Sequence, residues 1–172
     1  MHNIFTRLIF SLAVTLLLQA CVLQSKTPLF AEKDGEMLLN DYGSTFVSYS
    51  MNKGEWEKEK DAVTFAATGQ HYVVKSEKSE NDVLFVRLGG TWLLMQVGEA
   101  DKDYAYVLVD ARQKELLIHP LSCEILKKFE RLPEQVSFEG DDCTAGTGMD
   151  RMKVVVLAGQ MGKAEMKLVP DK

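Results

Sequence analysis

Between Thr45 and His119, short runs of β-branched and aromatic residues recur every ten residues or so, each bounded by Gly, Asn, Asp or Ser. Parallel strands need a crossover of roughly a dozen residues between one strand and the next, and these intervals are too short to hold one. The runs at 45–50, 62–67, 71–77, 82–88, 91–97, 104–110 and 115–119 therefore predict seven strands, paired as hairpins with their sequence neighbours. The expected fold class is mainly β (α+β): an antiparallel meander or small open barrel of about seven to nine strands, with one or two short covering helices.

Residues two apart in a strand share a face, so alternation identifies what each strand buries. Val63, Phe65 and Ala67 make one apolar line, and Tyr72 with Val74 makes the next, facing away from His71 and Lys75. Val107 and Val109 oppose Tyr104, Tyr106 and Leu108 across their strand. The middle pair differs, because Val83-Leu84-Phe85-Val86 and Trp92-Leu93-Leu94-Met95 are apolar on both faces. Such strands are central and need cover on two sides. Gly89-Gly90 between them suits a two-residue primed turn.

Two later segments are candidates for that cover. Ser122 is a good N-cap after Pro120, and Ile125, Leu126, Phe129 and Leu132 recur at one-face helical spacing until Pro133. Thr147 and Asp150 have capping-box-like spacing ahead of Met149, Met152, Val155 and Val156, which predicts a helix over 147–158, although Val154-Val155-Val156-Leu157 also suits a buried strand. Val136 with Phe138, and Ala164 with Met166 and Leu168, alternate as two short closing strands.

The beginning of the chain obeys different chemistry. Arg7 precedes the uncharged apolar stretch from Leu8 to Leu18, which has the length of a signal-peptide core and falls short of the roughly 20 residues of a membrane span. Leu18-Gln19-Ala20-Cys21 follows and resembles the lipobox of bacterial lipoproteins, with Gln19 standing where a small or β-branched residue is usual. That resemblance implies cleavage before Cys21, lipidation (palmitate among the acyl chains) of Cys21, and a palmitoylated, membrane-held chain facing the periplasm. Several acyl chains on one residue exceed what stable anchoring needs. Val22 in place of the Asp associated with inner-membrane retention implies the inner leaflet of the outer membrane. The expected organisation is a signal peptide over 1–20, a lipidated N-terminus and tether over 21–40, and one β-rich domain over 41–172.

Cleavage at that position leaves 152 residues, enough for a single domain with its own core. The loss of Arg7 leaves 19 basic against 25 acidic residues, a net charge of −6, which offers no electrostatic footprint for nucleic acid and no polybasic patch for anionic lipid. Two cysteines remain, Cys123 and Cys143, and in an oxidising compartment they are expected to form a disulfide. The same expectation removes Cys123 as a nucleophile for the nearby His119.

Residues that carry chemistry are few. There is no GxSxG elbow, P-loop or dinucleotide fingerprint. Asp101-Lys102-Asp103 lacks the Gly and distant Glu of a calcium loop and reads as a hairpin turn, and Gly140 to Gly148 reads as an acidic surface loop pinned by the disulfide. Glu55 to Asp61, a charge run around Trp56, reads as a solvated turn, with Trp56 a candidate anchor for a partner. No catalytic residue, cofactor or metal ligand is assigned. Candidate binding residues are Trp56, Trp92, Phe85 and Met95.

Beyond the lipobox, the stretch Gly89-Gly90-Thr91-Trp92 to Gln96, the strand around Tyr104-Ala105-Tyr106 and the Cys123 and Cys143 pair are similar to small β-rich proteobacterial lipoproteins of uncharacterised activity. The first functional expectation is a non-enzymatic envelope lipoprotein that binds an envelope or periplasmic protein, and the alternative is a small barrel carrying a lipid or other apolar ligand. A lysozyme-inhibitor-like role and an undetected hydrolase rank below these.

Overall fold

In a computed structural model the protein is described over residues 22–40, 44–75, 80–99 and 103–171. Cys21 and the segment expected to be a signal peptide lie outside the described residues, as do Ser76 and Glu77 at the end of one expected strand, and Asp101 and Lys102. All seven expected strands form, and they belong to a larger set: β1 (Gln24–Ser25), β2 (Thr45–Asn52), β3 (Glu55–Thr68), β4 (His71–Lys75), β5 (Glu80–Gly89), β6 (Trp92–Glu99), β7 (Tyr104–Arg112), β8 (Glu115–Pro120), β9 (Val136–Glu139), β10 (Asp142–Ala145) and β11 (Met166–Pro170). Two short helices, α1 (Cys123–Leu126) and α2 (Arg151–Ala158), lie between them.

Eight strands close into an antiparallel barrel, β2-β3-β4-β5-β6-β7-β8-β11, with β11 paired to both β8 and β2. The predicted meander thus becomes a closed wall, because the last strand of the chain fills the gap between the first and last strands of the meander. The hairpin from β5 to β6 holds as expected, with Phe85 opposite Met95 and Val86 opposite Leu94. Gly89 and Gly90 both have positive φ, 148° and 56°, at the turn, where a side chain would be strained. A register shift between Arg87 and Gly89 leaves Gly90-Thr91 as the loop, one position later than expected.

The alternation read from the sequence resolves into two cores. Each barrel strand contributes to the inner one: Phe46, Phe65, Tyr72, Val74, Val83, Phe85, Leu93, Met95, Val107, Val109, Leu116, Ile118 and Leu168 are all buried in a single cluster. Phe65 meets Phe46, Tyr72 and Phe85 at ring-centroid distances of 5.7, 6.2 and 6.0 Å, so aromatic side chains fill the lumen. The opposite faces of β5, β6 and β7 present Leu84, Val86, Leu94, Tyr106 and Leu108 to a second cluster. That cluster is covered by Leu23 and Phe30 from the N-terminal segment and by Leu121, Leu126, Val154 and Leu157 from the region around the helices.

Both helices appear with some change of extent. Ser122 caps α1, its hydroxyl accepting from the Ile125 N–H, and the helix ends at Leu126. At α2 the cap is Asp150, whose carboxylate accepts from the Lys153 N–H, so the helix begins later than the Thr147 spacing suggested. Cys123 and Cys143 form the expected disulfide, with Cα atoms 5.4 Å apart. It joins α1 to β10, so part of the Gly140–Gly148 loop is in fact strand, paired with β9.

Two expectations are corrected. The charge run from Glu55 to Asp61 is the first half of β3, not a turn, because Tyr49, Ser50 and Met51 of β2 supply its pairing partners and the hairpin turn falls at Lys53-Gly54. The segment read as a tether is built into the fold from its first described residue: Val22 and Leu23 are each 1% exposed. β1 pairs antiparallel with β7 and parallel with β10, satisfying backbone groups that a tether would leave to water.

Candidate functional site

After β1 the chain crosses the outer sheet face as a strap, and buried polar side chains hold it there. The Tyr106 hydroxyl lies 2.6 Å from Ser25 Oγ and accepts from the Leu29 N–H at 3.2 Å. One strand further along, the buried Gln96 amide makes a two-point bond with the backbone of Phe30, accepting from its N–H at 3.1 Å and donating to its carbonyl at 3.0 Å. A single side chain therefore does for Phe30 what a neighbouring strand would do. Burial raises the Tyr106 phenol above its ordinary value and keeps it neutral.

The strap ends by entering the barrel mouth. Glu36 N–H donates to the Phe85 carbonyl at 2.8 Å, beyond the point where β4 stops pairing with β5. Leu38 and Leu39 then join the inner cluster, and the Leu39 N–H donates to the buried Tyr72 hydroxyl at 2.9 Å. Gly35 marks the crossing. A methyl group there would run into the Gln70 carbonyl and the Leu84 side chain, so space, rather than backbone angle, calls for glycine.

Between strap and sheet the cover is incomplete, leaving a groove of about 200 Å³. Its apolar surface comes from Pro28, Phe30, Leu84 and Tyr104, with Gln96 among them, and its polar part from Glu32, His71 and Asp82. His71 begins β4, with Nδ1 3.3 Å from Glu32 Oε1 and Nε2 3.7 Å from Asp82 Oδ1. Glu32 also accepts from the Gln70 N–H at 3.2 Å, and that bond, followed by the one to His71, holds its carboxyl below the usual range. Glu32 is thus a carboxylate at neutral pH.

A second polar cluster lies on the outer face at the other end of β6 and β7. Asp110 accepts from Arg112 Nε at 2.9 Å, and His119 lies with its ring 5.1 Å from that of Trp92. Burial, the largest influence, holds His119 below the ordinary histidine value. Asp110 Oδ1 and His119 Nδ1 are buried and have no protein partner among the described residues. Among those residues no group of three or more His, Cys, Asp or Glu is placed to hold a metal ion.

The four candidate binding residues do not converge. Phe85 and Met95 face each other inside the barrel, Trp92 packs on the outer cluster against His119, and Trp56 lies on the far wall, 5.0 Å from the Lys167 ammonium that also lies over Tyr49. The groove residues Glu32, Phe30 and Gln96 were missed by sequence reasoning. Gln96 carried a usable signal, as a lone amide in a run otherwise apolar on both faces.

No family model matches the chain, and no curated protein or solved structure matches it.

Proposed function

We propose that this protein is a lipid-anchored, non-enzymatic binding module of the bacterial envelope, facing the periplasm and engaging a protein partner at the groove beneath the strap. The observation that carries the reading is the groove itself, with an apolar floor and the carboxylates of Glu32 and Asp82 on one side. At about 200 Å³ it falls below the roughly 300–1,000 Å³ of small-molecule pockets, and its size suits one long side chain. Lysine or arginine fits its chemistry, laying an apolar stem on Phe30 and Leu84 and a cationic head toward the carboxylates.

The filled lumen supports a partner outside the barrel over an apolar ligand carried within it. His71 is bonded to a carboxylate, and among the described residues no hydroxyl or thiol is hydrogen-bonded to its ring, which favours recognition over nucleophilic catalysis.

A photo-crosslinking amino acid at Tyr104, tested in the full lipoprotein in its native envelope, checks this. One dominant protein adduct is expected there, reduced at least five-fold by Glu32→Gln together with Asp82→Asn, and none from the same group at Lys114 on the β7–β8 turn. Equal labelling at both positions would overturn the proposal, and so would co-purification of a stoichiometric lipid in native mass spectrometry.

A further inference from the structure

We infer that the acylated protein sits directly on the bilayer without a spacer, turning α1 and the β9–β10 turn toward the headgroups. This rests on the reading of Cys21 as the lipid-bearing residue. Cys21 is one peptide unit from Val22, so its Cα lies within about 3.8 Å of a residue locked into the fold. Val22 bridges to Ser122, the Leu23 N–H donates to the Leu121 carbonyl at 2.8 Å, and the Leu23 carbonyl accepts from the Tyr106 N–H at 3.1 Å. Were residues 22–40 a flexible tether, the barrel would range roughly 25 Å from its anchor. Built into the sheet, they leave the acyl chains nothing to hang from except the barrel wall.

The same pairings identify which wall it is. The antiparallel bridge between Val22 and Ser122 directs the chain upstream of Val22 toward the start of α1. The parallel register of Gln24 with Thr144 directs it along β10 toward the Gly140-Asp141 turn. These two elements form one surface: the disulfide joins them, and Lys127 Nζ at the end of α1 donates to the Gly140 carbonyl at 2.8 Å and lies 5.8 Å from the exposed Phe138 ring. Phe138 and the Lys127 stem are suited to the headgroup region, where amphipathic and aromatic groups collect. Glu124, Glu139, Asp141 and Asp142 outnumber Lys127 and Lys128 on this surface, so the contact is held by the acyl chains and not by anionic headgroups.

The test uses the full lipoprotein in phosphatidylethanolamine–phosphatidylglycerol vesicles carrying a nitroxide on the headgroup. A fluorescent amino acid replaces Asp141 in one sample and Lys114 in the other. Lys114 lies eight residues before Ser122, the bridge partner of Val22, roughly 26 Å by strand rise. Quenching at position 141 is expected to exceed that at 114 several-fold and to persist in high salt. Inserting twenty Gly/Ser residues between Cys21 and Val22 should abolish the difference. A chain shown by N-terminal peptide mass to be acylated yet quenched equally at both positions would overturn this inference alone, while a mass without acyl chains would overturn the lipoprotein reading beneath it.

Discussion

The two faces of the β5–β6–β7 sheet are both buried, but they are buried by different means. The inner face is covered by the barrel strands that form it, through Phe46, Phe65, Tyr72 and their neighbours, with Leu38 and Leu39 added from the end of the strap. The outer face is covered by chain from elsewhere, held down by a disulfide, by Tyr106 and by the Gln96 amide. Close packing of apolar side chains covers the first. Polar rivets fix the second only where they bond, and between them the groove stays open. In this protein the open groove lies on the side where coverage comes from distant segments.

That contrast can be broken from either side. The largest effect is expected from Phe85→Ala, which empties space against the Phe65 and Tyr72 rings and should destabilise the protein by about 3–5 kcal/mol in urea unfolding, while leaving the strap groups paired. Replacing both Cys123 and Cys143 by Ser should cost about 3 kcal/mol on the chain-entropy account of a 20-residue separation. Its signature differs, since hydrogen exchange should rise first in α1, β9 and β10 and not in β2–β4. Exchange rising equally in both regions would remove the distinction between the two cores.

A smaller effect, of about 1–3 kcal/mol, is expected from Gln96→Leu, because it leaves the buried Phe30 N–H and carbonyl without their partner. Faster exchange at the Phe30 amide, with barrel amides unchanged, is the measurement. The smallest concerns pH. His119 is held below the ordinary histidine value by burial, so the unfolded chain binds the proton more readily than the folded one. Its contribution to stability is therefore complete above a pH of about 6.5 and is lost as the pH falls below it. The fall in Tm between pH 7.5 and 5.5 should be shallower in His119→Phe than in the parent, and an unchanged slope would show that His119 titrates alike in both states.

Some of this was legible in the chain. Val107 and Val109 against Tyr106 and Leu108 assigned the two faces of β7 correctly, and the double-sided apolar runs of β5 and β6 announced that both faces would be covered. The strap was not legible, since Pro28 to Glu36 shows no period and its anchors, Gln96 and Tyr106, lie 66 and 77 residues away. Nor was the strand at Glu55–Asp61, whose charged residues conceal a pairing that only β2 supplies.

The sequence by itself determined the central strands from β2 to β8 in outline, their antiparallel hairpins, the paired cysteines and the two apolar faces, because a period of two and the turn glycines act over a few neighbouring residues. Tertiary structure alone decided that β11 closes the barrel, that residues 22–40 become wall and plug instead of tether, and that Glu32, His71 and Asp82 meet at one groove. Those outcomes depend on which distant segment satisfies an exposed strand edge or a buried amide, and that choice is made by the whole packed chain.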